Sequence, residues 1–369
     1  MGRYDVIFET RDFTNYLSLN NISVQPKRYR TSVIGGCMEA ELEVKGSKND
    51  LFDLANYLLR CPVSIYYDGV LVWWGYVESV DVCLGAYTVG VTLDNMVNRV
   101  AITYSIITVN EEGETEIGQR ATTSWAENQI SISTYGTKEL MVSAGGMNEN
   151  QANTARDNIL NTFSKPLSKI EFHSGMKPGT GRIVAKGWWH TLDWKYYAQS
   201  QTTTADLSVI LREIISTGQF ITGVKSSVTA GINGGRYRNG TLTIRDEAER
   251  LMRMGTANGR RMLAYVSPER NVVIYEEKSL QLFSQNYHDF TIDSDGNIRD
   301  QYGSELAVYK CPVGICILSD AFTLQIDAAR LSDPRVLFIE EAEYDVETGY
   351  KPVARGQLAA WDIIQRITG

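Results

Sequence analysis

Eight consecutive residues, Met38-Glu39-Ala40-Glu41-Leu42-Glu43-Val44-Lys45, alternate apolar and charged side chains without a break. A helix would smear that pattern around its circumference, whereas a strand, with its period of two, sorts it into one core face and one water face. The chain is committed early to a sheet with a half-buried strand. Gly46 closes the strand. Ser47-Lys48-Asn49-Asp50 then has the Ser-x-x-acid form of a helix N-cap box and leads to Leu51, Leu54, Ala55, Leu58 and Leu59 on one helical face. Pro62 is expected to stop that helix. Val63-Ser64-Ile65-Tyr66-Tyr67, Asp68-Gly69 and Val70-Leu71-Val72-Trp73-Trp74 read as strand, type I′ turn and returning strand. Gly75 to Leu84 and Tyr87 to Asn95 continue as strands across Gly85-Ala86, so residues 1–104 form a meander crossed by one amphipathic helix.

Downstream the pattern changes in three places. Residues 105–200 read as β-rich with one helix. From Ile102 to Tyr135 the apolar residues stand at strand spacing around an acidic hairpin tip, Glu111-Glu112-Gly113-Glu114. Asn148-Glu149-Asn150-Gln151 caps a helix carrying Ala152, Ala155, Ile159 and Phe163, and Arg182 to Tyr197 returns to β character. Residues 201–279 read as an α+β unit. Thr203-Thr204-Ala205-Asp206 is expected to cap a helix with Leu207, Ile210, Leu211, Ile214 and Ile215 inward and Gly218 as a left-handed stop. Thr243-Ile244-Arg245-Asp246 caps another that ends at Gly255, and Leu263 to Tyr275 reads as a hairpin. Residues 280–369 read as short strands followed by a helix over Val353–Thr368, with Leu358, Trp361, Ile364 and Ile367 on one face. The fold class is α+β and β-rich.

Charge and composition exclude several functions. With 36 Lys plus Arg against 44 Asp plus Glu the net charge is −8, which gives no general attraction for phosphate backbones and argues against sequence-specific DNA binding. The five cysteines, Cys37, Cys61, Cys83, Cys311 and Cys316, lack zinc-ligand spacing, and the three histidines, His173, His190 and His288, stand far apart. Reduced thiols, no structural metal and no cofactor are expected. No window approaches the roughly 20 apolar residues of a membrane span, and the N-terminus carries neither a signal peptide nor a lipid-anchor motif, so folding in a cytoplasm without a membrane anchor is expected.

Six motifs have a functional reading beside a plain structural one. Asp293, Asp295, Asn297 and Asp300 could surround a calcium ion, but Ile298 stands where an EF-hand needs glycine, and tight-turn chemistry is the stronger reading. Trp188-Trp189-His190-Thr191-Leu192-Asp193-Trp194 could be a sugar-stacking platform with a His190 and Asp193 acid–base pair, or aromatic packing at a strand or subunit boundary. No Gly-x-Ser-x-Gly nucleophile motif accompanies it. Arg245, Arg250, Arg253, Arg260 and Arg261 are interleaved with Asp246, Glu247 and Glu249, which fits a salt-bridged face better than an anion site. Gly231-Ile232-Asn233-Gly234-Gly235 lacks the Lys of a phosphate loop, and Cys61-Pro62 and Cys311-Pro312 read as small fillers. The acidic runs Glu111–Glu116 and Glu340–Glu347 serve solubility or line a channel that repels a polyanion.

Trp74-Gly75-Tyr76-Val77-Glu78-Ser79-Val80, continuing through Gly85-Ala86-Tyr87-Thr88-Val89-Gly90-Val91-Thr92-Leu93-Asp94-Asn95-Met96-Val97-Asn98-Arg99-Val100, resembles tail proteins of bacteriophages. So do Ile214-Ile215-Ser216-Thr217-Gly218-Gln219-Phe220-Ile221 and Gly259-Arg260-Arg261-Met262-Leu263-Ala264-Tyr265-Val266. In this order, over most of the chain, these segments are similar to the baseplate or tail hub family related to late-control proteins. The resemblance implies tail-tube-like β-sandwich or barrel domains with crossing helices, one in 1–104 and a second in the last ninety residues, with 105–200 and 201–279 as insertions. It implies a virion tail protein without catalytic residues. Such a homotrimer presents a pseudo-sixfold ring to the tail tube or distal tail protein, meets a spike or fibre protein and the tape-measure protein, and lets DNA pass.

On that reading Asp68, Gly69, Trp73, Trp74, Trp188, Trp189 and Trp194 are interface candidates, and Glu111, Glu112, Glu114, Glu340, Glu341 and Glu343 are candidates for an acidic lumen. The alternatives are a hexameric distal tail ring, a receptor-binding module stacking Trp188, Trp189 and Trp194 on glycan, and a cell-wall hydrolase using Asp193 and His190.

Overall fold

A computed structural model describes residues 3–109, 115–172, 175–236 and 240–276, together with strands at 290–292, 297–300, 305–308, 316–319, 325–326 and 329–330 and the segment 335–354. The chain begins with β1 (Tyr4–Glu9), β2 (Tyr16–Leu17), β3 (Ser23–Ser32) and β4 (Ile34–Lys45), followed by α1 (Lys48–Tyr57), β5 (Pro62–Tyr67), β6 (Val70–Cys83) and β7 (Tyr87–Thr92). In β4 the expected alternation is realised: Ala40, Leu42 and Val44 are buried and Glu39, Glu41 and Glu43 face water. Glu41 is tied to both neighbouring strands, by Arg28 at 3.1 Å and Arg182 at 3.0 Å. Ser47 caps α1 by accepting from the Asp50 amide, and Leu51, Leu54 and Ala55 pack inward. The helix ends at Tyr57, before Pro62; Arg60, with a φ of 64°, turns the chain, and Pro62 instead starts β5. Asp68 and Gly69 have φ of 48° and 79°, the left-handed pair a type I′ turn requires.

Next come β8 (Arg99–Val109), β9 (Thr115–Thr122), β10 (Ala126–Glu127), α2 (Gln129–Tyr135), β11 (Glu139–Met147), α3 (Glu149–Phe163), β12 (Leu167–Phe172) and β13 (Thr180–Lys186). Strands β8 and β9 pair as the expected hairpin, whose tip Glu111, Glu112 and Glu114 lies outside the described residues. The strand reading of the stretch up to Tyr135 is corrected at α2, because the Asn128 side chain accepts from the Ser131 amide and starts a helix. The capping box of Asn148 and Gln151 on α3 is present as expected. Helix α3 packs Ala152, Ala155 and Ile159 against Ile102 and Tyr104 of β8 in a satellite core.

The last described part holds β14 (Thr204–Asp206), α4 (Leu207–Ser216), β15 (Gly223–Ser226), β16 (Asn233–Gly235), α5 (Ile244–Met254), β17 (Met262–Val266) and β18 (Asn271–Glu276). Two expectations for α4 are corrected. Its cap is Asp206, since Thr204 to Asp206 is a strand paired with β16. Gly218 has no left-handed backbone; it is small because a Cβ there would meet Leu192 Cδ2 at 2.5 Å. Thr243 caps α5 and Gly255 ends it with a φ of 72°, as the sequence predicts. Most of the expected C-terminal helix lies outside the described residues, and Val353 and Ala354 belong to a strand.

The main sheet places sequence-distant strands side by side. From one end it runs through strand Gly349–Ala354, strand Arg335–Asp345, β3, β4, β13 and β6. Long β6 then hands on to β7 and β12 with one half and to β5, β1 and β2 with the other. Strand β13, from within 105–200, is therefore central to the sheet begun by 1–104. Strand β17 joins β4 at Ile34 and Gly35. No sheet closes into a barrel among the described residues. One continuous core runs from this sheet to the inner faces of α4 and α5, and among the described residues no helix is long and apolar enough to cross a membrane.

Candidate functional site

The residues from Trp188 to Trp194 form a 3-10 turn, which corrects the expected strand. Two glycines force it into place. A Cβ on Gly187 would lie 1.7 Å from the Cys37 carbonyl oxygen, and Gly35, at a φ of +93°, lies flat under the Trp189 indole. Trp188 meets the rings of Tyr76, Phe13 and Phe220 at 5.3, 5.4 and 5.7 Å, and Trp194 meets Tyr76 and Phe220 edge-on at 5.5 and 5.8 Å. Trp189 is fully buried and donates to Glu249 at 3.2 Å. The three indoles fill the space between sheet and helices, so neither a glycan platform nor a subunit surface is built from them. Trp73 is likewise buried, donating to the Arg30 carbonyl, and half-buried Trp74 bridges β6 to the Val266 carbonyl at 3.0 Å. Of the first interface group, the Asp68-Gly69 tip stands exposed, with Asp68 accepting from the Arg3 amide at 2.8 Å.

His190 and Asp193 do not form an acid–base pair, because Arg245 stands between them. Its Nη1 lies 3.2 Å from His190 Nδ1 and 2.7 Å from Asp193 Oδ2, while its Nε donates to Glu249 at 2.7 Å. A guanidinium only donates, so Nδ1 accepts and the imidazole proton is placed on Nε2. Burial, then the Arg245 and Lys186 charges, hold His190 down to about 3, so the ring is neutral at pH 7. Burial raises Asp193, with Arg245 opposing. Three of the other arginines are salt-bridged, Arg250 to buried Glu247 at 2.7 Å, Arg253 to Glu249 at 3.5 Å and Arg260 to Glu276 at 3.6 Å.

Beneath this turn lies a polar cluster that sequence reasoning passed over. Buried Glu78 holds Lys186 at 3.3 Å; Lys138 donates to the Leu93 and Asp94 carbonyls at 2.6 and 2.7 Å, with its Nζ 5.4 Å from the Trp194 ring. The available signal was Glu78 itself, a charge two residues before Val80 on the inward face of β6.

Two of the sheet's open edges carry exposed chemistry. Strand β12 pairs with β7 alone among the described residues, setting Phe172 opposite Tyr87 and Ile170 opposite Val89. Ile170 is 61% and Phe172 71% exposed. Beside them, hollows of about 350 and 460 Å³ flank α1, the first lined by Phe52 and Tyr87, the second by Leu59, Val91 and Ile130. At another edge, strand Gly349–Ala354 pairs only with Arg335–Asp345 among the described residues. The expected acidic wall is of mixed charge where it is described: Glu341 is bonded to Arg30 at 2.8 Å, and Glu343 stands opposite Arg30 in register. The Glu340 side chain is outside the described residues. So are Asp293 and Asp295 of the candidate ion loop, whose Asn297 and Asp300 are the two ends of a strand. No group of three or more metal-ligating side chains occurs among the described residues.

No family model matches the chain, and no curated protein matches it. Solved structures similar to it include three tail proteins. The 43 kDa tail protein of prophage MuSo2 from Shewanella oneidensis is 10% identical over 75% of this chain, with a TM-score of 0.34, and the chain spans 54% of its length. The prophage tail protein gp18 from Listeria monocytogenes EGD-e is 9% identical, covering 99% of this chain and 98% of its own, with a TM-score of 0.38. A tail protein from Neisseria meningitidis MC58 is 9% identical, covering 91% and 96%, with a TM-score of 0.37. All three TM-scores are below 0.5.

Proposed function

We propose that this chain is a structural, non-enzymatic component of a phage tail: a baseplate hub whose copies close into a homotrimeric, pseudo-sixfold ring between tail tube and distal spike or fibre, with DNA passing along the axis. The observation that carries the reading is a branched sheet that leaves several edges open among the described residues, two of them on β12 and on Gly349–Ala354, each paired on one side alone. Unpaired edges invite another strand. Two different edges that meet between neighbours make a head-to-tail contact, and such contacts close into a ring when the rotation permits. The apolar side chains of Ile170 and Phe172 give one edge a surface to bury. The resemblance of residues 74–80, 85–100, 214–221 and 259–266 to tail proteins supports the same reading, and the interposed Arg245 counts against a hydrolase built on His190 and Asp193.

Native mass spectrometry of the purified chain, followed by electron microscopy, tests the proposal. A trimer with an axial opening is expected. A hexamer would instead make the protein a distal tail ring, and a monomer at high micromolar concentration with no ring in virion maps would refute both.

A further inference from the structure

A second cluster lies beside the aromatic turn, where Arg60 and Arg270 both lie on the Phe13 ring and the Arg11 charge reaches Arg60. Arg60 is 6% exposed, yet its Nε and Nη1 have no hydrogen-bond partner; only Nη2 is bonded, to the Arg11 carbonyl. Its Cζ lies 5.4 Å from the Phe13 ring centre and 5.2 Å from that of Phe220. Half-exposed Arg270 stacks on Phe13 at 3.6 Å and lies 5.8 Å from Trp188, and among the described residues its guanidinium has no hydrogen-bond partner. Arg11 donates to the Leu59 and Tyr57 carbonyls, both at 2.8 Å.

A buried cation with unmet donors beside two further cations is costly, and ring faces return only part of the lost hydration. The nearby carboxylates do not fill the need. Asp12 accepts the Thr10 and Thr14 hydroxyls on Oδ1 and acts on Arg60 only through its charge, without a hydrogen bond, and Glu9 likewise acts on Arg270 only at a distance. Burial, with the charges of Arg11 and Arg270 beside it, pulls Arg60 down to about 10. Phe13, which covers the group, has a φ of 63°, a strained backbone for a ring-bearing residue, on a loop at the surface.

We infer that the Arg60 and Arg270 pair, with Arg11 behind it, binds a small oxyanion, a phosphate or carboxylate group, admitted from the Phe13 side. Such a group accepts from the idle N–H donors in charge-assisted bonds and separates the like charges. The site is independent of ring formation and of the open sheet ends.

The test uses the full chain, with inorganic phosphate and glutarate as the two probes and chloride at matched ionic strength as the reference. The wild-type unfolding midpoint is expected to rise with probe concentration and saturate, and the probe with the larger shift identifies the preferred oxyanion. Arg270→Met, at the rim, should weaken the apparent affinity about tenfold or more, the loss of one charge-assisted contact. Arg60→Met should abolish the response. A wild-type midpoint that moves no more with either probe than with chloride overturns the inference, as does an Arg270→Met protein that responds like the wild type. If Arg60→Met does not fold, the phosphorus NMR line width of phosphate decides: broadening by wild type and not by Arg270→Met is expected, and equal broadening refutes the site.

Discussion

Lowering the pH from 7.5 to 5 should destabilise this protein through one residue, His190. In the unfolded chain an imidazole titrates near 6.5; in the fold His190 is held at about 3 by burial and by Arg245 and Lys186. The folded value is depressed, so the unfolded state takes up the proton first as pH falls. The stability tied to the neutral ring is whole above about 6.5, is lost progressively below it, and stops changing once pH passes about 3. At pH 5 the unfolded ring has gained one and a half pH units of protonation advantage, about 2 kcal/mol at 1.36 kcal/mol per unit. Asp193 has the opposite sign. Its raised pKa lets the folded state bind a proton before the unfolded chain does as the pH falls, a gain that opposes the His190 loss.

The control is His190→Asn, whose amide oxygen can accept from Arg245 in place of Nδ1. Urea unfolding followed by tryptophan fluorescence, at pH 7.5, 6 and 5, should show the wild type losing about 2 kcal/mol more than His190→Asn between the ends of the series. Parallel losses in the two proteins, or a His190 NMR signal that titrates near 6.5, would refute the Arg245 geometry on which the reasoning stands.

Three further outcomes follow from packing and edges. Leu42→Ala, on the core face of β4 with no exposed surface, should cost about 2–5 kcal/mol in urea unfolding. Gly187→Ala places a methyl against the Cys37 carbonyl and should cost about 3 kcal/mol or more, together with altered near-ultraviolet dichroism from the displaced indoles. Ile170→Lys with Phe172→Lys, both on exposed β12, should change monomer stability by no more than about 0.5 kcal/mol yet abolish the oligomer in sedimentation; an intact oligomer would remove β12 from the proposed interface.

What the sequence by itself determined is short-range. The alternation of β4, the Ser47, Asn148 and Thr243 caps and the Asp68-Gly69 turn were legible because each depends on sterics and hydrogen bonds within a few residues. Tertiary structure decided the rest. Trp188 to Trp194 has strand composition, but the Cys37 carbonyl against Gly187 and the Gly35 floor under Trp189 bend it into a turn, and those contacts span about 150 residues of chain. The position of β13 between β4 and β6, the burial of Glu78 with Lys186, and the meeting of Arg60 and Arg270 on the Phe13 ring likewise join distant segments. The physical reason is that strand pairing and desolvation are properties of a residue's neighbours in space. A local pattern states which face of a strand is apolar; only the assembled sheet states what that face meets, and whether a charge placed there finds a partner.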